Sequence, residues 1–153
     1  MFAHRLVRLI ESHAENLAEG LMRKLKESEA CNDLLTQVPD TELQRRSFEI
    51  YCNVTEWLLT KTESEIEERY IGVGARRAQQ DVPYSQLLYA IQTTKEYLWE
   101  FLRQEGLLEP TELIGEMELL YSLERFFDRA AYFAAVGYEG ARARDIAHAL
   151  SSR

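Results

Sequence analysis

Apolar side chains recur along almost the whole chain at intervals of three and four residues, which is the spacing of one face of an α-helix. The first such stripe runs through Leu6, Ile10, Leu17, Leu21 and Leu25. Charged residues fall between these positions and form the opposite, solvated face. The pattern therefore predicts an amphipathic helix that ends near residues 28–32, with a short helical turn after it over 33–37.

Capping and turn signals divide the middle of the chain into three further helices. Capping boxes, each a hydroxyl followed three residues later by Gln or Glu, start helices at Thr41 and Thr62. Pro83 suits the first turn of a third helix, because its missing N–H costs nothing there. Gly106 is placed to end that helix in the left-handed conformation. The predicted ranges are 41–60, 62–80 and 83–106.

The last helix is predicted to be long, since no proline and no turn cluster occurs between Pro110 and Leu150. A helix over 110–150 would extend about 60 Å at ~1.5 Å per residue, whereas a small domain is only ~30 Å across. The complete pattern predicts an all-α fold, a bundle of about five to six helices with a long C-terminal helix. We expect residues 1–153 to form a single domain, in which 110–150 serves as a dimerisation and stalk element.

Two apolar seams run along this last helix, and a helix that is apolar on two sides needs two partners. The first seam is Leu113, Met117, Leu120, Phe127, Ala131, Ala134, Tyr138 and Ala141. The second is Leu119, Leu123, Phe126, Ala130, Phe133 and Gly137. We expect the domain itself to cover one seam and a second copy of the chain to cover the first-named one, as a homodimer interface. The many Ala and Gly residues of the distal half predict a close helix–helix contact there.

Composition narrows the function classes. The chain of 153 residues carries a formal net charge of −8, and an acidic chain repels phosphate backbones, so we expect no nucleic-acid partner. Its two cysteines are too few for a disulfide framework or a four-ligand zinc site. The N-terminus does not have the pattern of a signal peptide, and no apolar run of ~18 residues is present. These features predict a cytoplasmic protein without a membrane segment.

Candidate catalytic and metal-binding chemistry is sparse. The histidines His4, His13 and His148 lie near the chain ends, away from the central helices. Asp145 and His148 have helical ligand spacing, but a two-metal bundle site needs two such motifs and more carboxylates. No nucleophile motif with a partner base is visible. We therefore expect no metal, no cofactor and no enzymatic activity.

Two basic residues, Arg76 and Arg77, can recognise an anion in a bidentate way. The alternative is that they pair with carboxylates such as Glu67, Glu68 or Asp81. The segment Gly72–Gly74 before them lacks the strand and the third glycine of a dinucleotide-binding motif. It is better interpreted as a place where another helix crosses closely or where the helix bends.

Several stretches resemble the N-terminal helical domain of the RsbR-type proteins, the RsbT co-antagonists of bacterial stress signalling. They are Arg69-Tyr-Ile-Gly72, Gly74-Ala-Arg-Arg77, Asp81-Val-Pro-Tyr-Ser-Gln-Leu-Leu88, Tyr97-Leu-Trp99, Arg125-Phe-Phe-Asp-Arg-Ala130 and Gly137-Tyr-Glu139. The resemblance covers essentially the whole chain. It implies a globin-like or bundled sensor domain without haem that dimerises. In this family the last helix continues toward an output domain, commonly a STAS domain.

Carried over to this chain, the resemblance places Phe126, Phe127 and Asp128 on the helix that packs and dimerises. It places Tyr138 near the start of the connecting stalk. Gly72 and Pro83 would shape the central helices. The departure is that no output domain follows in this sequence, so the chain either acts in trans or is a piece of a longer sensor.

Two functional hypotheses follow. The first is a non-enzymatic signal-transduction domain that dimerises, relays a stimulus through its C-terminal helix and addresses a signalling partner of the kinase or STAS type. The second is a stand-alone adaptor or scaffold that binds a partner protein through an apolar helix face, without ligand sensing.

Overall fold

The structure is a computed structural model that describes residues 2–60, 62–105 and 117–152. It confirms the all-α fold with a long last helix, and the described residues contain no β-strand. Their seven α-helices are α1 (Phe2–Ser12), α2 (Ala14–Glu27), α3 (Asn32–Gln37), α4 (Asp40–Thr60), α5 (Glu63–Gln79), α6 (Tyr84–Gln104) and α7 (Met117–Ser151), with a 3₁₀ turn at Glu29–Cys31.

The helix count exceeds the expected five to six because the first predicted helix is divided at His13. Its backbone leaves the helical region, at φ −113° and ψ 9°. The imidazole Nδ1 lies 2.9 Å from the Leu9 carbonyl oxygen and 3.1 Å from the Ser12 hydroxyl. The His13 side chain is therefore within hydrogen-bond distance of a backbone carbonyl in the last turn of α1, where the helix ends. The stripe from Leu6 to Leu25 remains buried on both sides of it.

The predicted boundaries of the central helices are close to those observed, although the capping chemistry differs. Thr62 is the N-cap residue of α5, but its hydroxyl donates to the Thr60 hydroxyl instead of capping a backbone N–H. The carbonyl of Pro83 accepts hydrogen bonds from Gln86 and Leu87 in the first turn of α6. The predicted cap at Gly106 lies outside the described residues.

The core is organised around α5 and α7, which pack along each other more extensively than any other pair of helices. On the other side, α4 packs on α1 and α2, and α6 contacts both α2 and α7. Phe126 of α7 is fully buried at the centre. Its ring centroid lies 5.9 Å from that of Tyr70 on α5 and 6.3 Å from that of Trp57 on α4, so aromatic contacts join three helices.

The last helix extends beyond the packed body of the domain. Its described part has 35 residues, which is about 50 Å at ~1.5 Å per residue. Every residue from Ala143 to Ser152 is exposed. The predicted start at Pro110 lies outside the described residues, and the end agrees with the expected Leu150.

Candidate functional site

A cavity of about 60 Å³ lies among α2, α3, α4, α5 and α6. Its inner wall is apolar and is formed mainly by Leu21, Leu25, Leu34, Leu43, Leu87 and Ile91. Arg46 and Glu49, which are half-buried, and the exposed Arg69 also line it. The cavity therefore reaches the surface between α4 and α5.

The rim of this cavity is polar. Arg69 Nη1 donates a hydrogen bond to Asn53 Oδ1 at 2.9 Å, and Asn53 Nδ2 donates to the Tyr70 hydroxyl at 3.2 Å. Burial raises the pKa of Tyr70, so its hydroxyl stays protonated at neutral pH. Arg46 Nη1 donates to Glu49 Oε2 at 3.0 Å. In contrast, the buried Nε of Arg46 has no hydrogen-bond partner in the described part of the chain.

A charged cluster at the Arg77 side of the cavity joins the start of α4 to the end of α5. Glu42, whose side chain is 7% exposed, accepts hydrogen bonds from Arg76 Nε, from Arg77 Nη1 at 3.3 Å and from Gln80 Nε2 at 3.0 Å. The bond from Arg76, with those from Gln80 and Arg77, lowers the pKa of Glu42 to about 2 although burial opposes this change. Glu42 is therefore ionised at neutral pH.

This cluster decides between the two interpretations of Arg76 and Arg77. Both arginines pair with a carboxylate, as the second interpretation expected, but the partner is Glu42 and none of the three carboxylates that were named. The guanidinium of Arg77 is buried and also donates to Gln80 Oε1 at 2.7 Å. The two arginines are thus engaged within the chain and do not form a vacant anion fork.

On the face of α5 away from the cavity, the backbones of α5 and α7 come into contact. A Cβ atom built at Gly137 of α7 would stand 1.9 Å from the carbonyl oxygen of Ile71 on α5. Likewise, a Cβ atom built at Gly74 of α5, about one turn after Ile71, would stand 1.9 Å from the carbonyl oxygen of Ala134 on α7. The prediction that another helix crosses closely is therefore confirmed at Gly74, whereas Gly72 has no atom within 4 Å of a Cβ position.

The turn between α5 and α6 is tied to α7 as well. The Tyr138 hydroxyl donates to the Val82 carbonyl at 2.6 Å. Arg142 Nη1 lies 3.5 Å from Asp81 Oδ1, and its Nη2 donates to the Tyr138 hydroxyl at 3.3 Å. Asp81 has a positive φ of 58°. Side-chain bonds therefore reinforce the close α5–α7 contact beyond Gly74, at the turn that follows α5.

Within residues 2–60, 62–105 and 117–152, no group of three or more His, Cys, Asp and Glu side chains is arranged to hold a metal ion. The same residues include no helix that is both long and apolar enough to cross a membrane. His13 is engaged with its own helix, and His148 is exposed near the end of α7.

A family model for the N-terminal domain of the RsbT co-antagonist protein RsbRD matches residues 15–153, which is nearly the whole chain. The chain belongs to this family. No curated protein and no solved structure is similar enough to this chain to count as a match. The RsbRD family is one of regulatory domains in stress signalling, as the resemblance of the helical motifs implied.

The seam that was expected to meet a second copy of this RsbRD-type domain lies inside the protomer. Its buried members are Leu120, Phe127, Ala134, Tyr138 and Ala141, and Ala131 is partly buried. Leu113 and the side chain of Met117 lie outside the described residues. Gly74 of α5 lies against the backbone of Ala134 and Tyr138, so α5 covers this part of the seam within the protomer.

A third stripe of α7 is exposed instead, and the sequence reasoning missed it. Its apolar members are Tyr132, Val136, Ala143, Ile146 and Leu150. They follow the alternating intervals of four and three residues of a coiled-coil seam, interrupted by Glu139. Ile146 and Leu150 are 62% and 65% exposed. The spacing of these residues in the sequence already indicates the stripe. It was overlooked because the two buried seams contain more apolar residues.

Proposed function

We propose that this chain is a non-enzymatic signal-transduction domain that pairs with a second copy along the exposed stripe of α7 and relays a stimulus from the cavity through α5 to α7. The observation that carries the proposal is the position of α5. Tyr70, Val73 and Arg77 of this helix line the cavity, and its glycine-bearing face touches α7. A displacement of α5 caused by a change in the cavity would therefore also change the packing of α5 against α7.

The close contact makes this relay physically reasonable. Where a helix packs through long side chains, these can change rotamer and absorb a small shift. At Gly74 and Gly137 no side chain lies between the two backbones, so α5 and α7 have to move together or separate. Packed interfaces of this kind tend to have discrete arrangements, which is what a two-state signal requires.

The pairing surface is argued from exposure and spacing. The part of α7 from Ala143 onward is exposed to solvent, and a short helical segment without packing partners is only marginally stable in water. A second α7 laid against Ile146 and Leu150 would cover the apolar residues and stabilise the segment. Self-pairing suits this stripe because its repeat matches that of a two-stranded coil.

The partner that reads α7 is, in this proposal, a signalling protein of the kinase or STAS type in the cytoplasm. Support comes from the family description, whose members are co-antagonists of RsbT. In the alternative, adaptor function, the same exposed stripe receives a helix of another protein, and the cavity plays no part.

Sedimentation of the full chain tests the pairing. Wild type should sediment as a dimer at micromolar concentration, and the double substitution Ile146→Glu with Leu150→Glu should sediment as a monomer. Leu59→Glu, an apolar residue of α4 that is also exposed, is the matched control and should leave the dimer intact. A wild-type monomer would reject pairing and favour the adaptor.

A further inference from the structure

We infer that the cavity among α2, α3, α4, α5 and α6 binds a short-chain monocarboxylate, with the carboxylate held by Arg46 and the alkyl part among the leucines. The inference rests on the proposed function for its meaning, since it names the stimulus that this domain would sense. It depends on one unpaired hydrogen-bond donor, on the charge of the rim, and on the apolar character and volume of the inner part of the cavity.

The donor is the Nε of Arg46. It is buried and has no hydrogen-bond partner among the described residues, and such a group is costly to leave unsatisfied. The Nη1 atom of the same guanidinium is held by Glu49. The Nε and Nη2 atoms form the other edge of the plane, and this edge matches the two oxygens of a carboxylate. Glu49 thus positions Arg46 and leaves its binding edge available.

The charge of the lining favours an anion. Among the described residues that line the cavity, Arg46, Arg69 and Arg77 are basic and Glu49 is the one acidic residue, in a chain whose formal net charge is −8. Glu42 offsets Arg77, but the hydrogen bond of Arg69 goes to the neutral amide of Asn53. A locally positive rim on an acidic protein concentrates small anions at this opening.

The inner wall favours an alkyl tail over water. Three hydroxyls lie in the lining, and each is already engaged. Ser47 donates to the Leu43 carbonyl at 2.8 Å, Thr94 donates to the Ala90 carbonyl at 2.7 Å, and the Tyr70 hydroxyl accepts from Asn53 Nδ2 at 3.2 Å. A buried water needs two to four polar partners, which the leucines cannot supply. The volume of about 60 Å³ equals that of about two liquid waters. This limits the tail to about two carbons, since a ~150 Å³ apolar cavity holds the six carbons of benzene.

Propionate is the probe for the test, with the full chain titrated and followed by methyl NMR. We expect saturable shifts of the cavity methyl groups, and a Kd between about 0.1 and 10 mM because so small a ligand has few atoms to bind. Neutral 1-propanol should bind at least about ten-fold more weakly, since it lacks the charge-assisted hydrogen bonds. Octanoate should not fit the cavity.

Two variants locate the site. Arg46→Met should weaken propionate binding at least about ten-fold, because it removes the donor from a half-buried position while leaving the core intact. Ala90→Leu should abolish binding by filling the cavity, and far-UV circular dichroism shows whether it folds. Arg45→Met, at an exposed neighbour, is the matched control and should bind as wild type does. If Ala90→Leu does not fold, Arg46→Met and the alcohol decide the question.

Absence of saturable propionate binding would overturn the inference. So would equal binding of 1-propanol, or binding that both cavity variants leave unchanged. Sedimentation of the same samples separates this failure from failure of the proposed function. A dimer that does not bind propionate keeps the pairing and removes the ligand, whereas a monomer that binds propionate keeps the ligand and removes the pairing.

Discussion

Gly74 of α5 lies directly against the carbonyl group of Ala134 on α7, so closely that a Cβ atom at residue 74 would stand 1.9 Å from the Ala134 oxygen. Both atoms belong to buried segments, so neither helix can yield by turning a side chain. This contact brings the helix that lines the cavity and the helix that leaves the domain into one unit.

The first prediction follows from this contact. Gly74→Ala should lower the free energy of unfolding by about 2 kcal/mol or more, because the methyl group forces the backbones apart and outweighs the gain in helix propensity. For a chain of this length we expect the melting temperature to fall by about 5–10 °C.

Gly72→Ala is the matched control, since it makes the same chemical change two residues earlier on the same helix. Gly72 is exposed and a Cβ there meets no atom within 4 Å. It should therefore raise stability by about 0.5–1 kcal/mol through helix propensity. Equal effects of the two substitutions in thermal melts would mean that α5 and α7 are not in backbone contact.

The second prediction concerns the bond from Tyr138 to Val82. Tyr138→Phe should cost about 1–3 kcal/mol, because it leaves the buried Val82 carbonyl without its donor. Tyr132→Phe, which removes a hydroxyl from an exposed ring of the same helix, should change stability by less than about 0.5 kcal/mol. Chemical denaturation of both variants checks this difference. A Tyr138→Phe variant as stable as wild type would argue against the hydrogen bond between Tyr138 and Val82.

The third prediction is a pH dependence that comes from Glu42. Its pKa in the folded chain is about 2, below the ordinary value of 4.5. The stabilising contribution is therefore complete above about pH 4.5 and is lost as the pH falls through about 2. A shift of this size corresponds to at most about 3 kcal/mol, and less where Arg76 is solvated.

The variant Glu42→Gln tests this directly by unfolding at pH 7 and at pH 3. It should be less stable than wild type at pH 7, because Arg77 is buried and loses its charged partner. It should also lose less stability than wild type between the two pH values. Glu68→Gln, at an exposed position, should follow the wild-type profile. A wild-type profile for Glu42→Gln would show that the cluster is not formed in solution.

The fourth prediction addresses the polar break in the exposed stripe. Glu139 occupies a seam position, so a parallel pair of α7 helices brings two like charges together. Glu139→Leu should therefore tighten self-association at least about ten-fold in sedimentation equilibrium. Asp145→Leu makes a similar change off the stripe and should have little effect. A Glu139→Leu variant that associates no more tightly than wild type would place the pairing surface elsewhere.

The sequence was sufficient for the features that depend on local spacing. The helical periodicity, the start of α6 at Pro83 and the end of α7 near Leu150 all follow from neighbouring residues, and each agrees with the structure. The small residues of α7 correctly indicated a close helix contact. Their partner could not be deduced, because Gly74 is distant in sequence and any helix with a small residue could have filled that place.

The candidate site depends on relationships between distant parts of the chain. Glu42 lies 34 residues before Arg76, and the first turn of a helix is where an acidic residue needs no further explanation. The cavity arises where side chains of five helices fail to fill the space between them, which no local pattern encodes. The vacant Nε of Arg46 likewise appears only once α4 and α5 are packed.

The distance between the α7 helices of two copies tests the central claim most directly. A spin label at His148→Cys, in a Cys52→Ser background, is read by pulsed electron paramagnetic resonance on the full chain. Parallel pairing along the exposed stripe predicts one distance of about 20–30 Å, which comprises a ~8–10 Å helix separation, two helix radii of ~5–6 Å each and the arms of the two labels. This distance should vanish in the Ile146→Glu, Leu150→Glu variant. A wild-type sample with no intermolecular distance, or with one that the variant retains, would contradict the account.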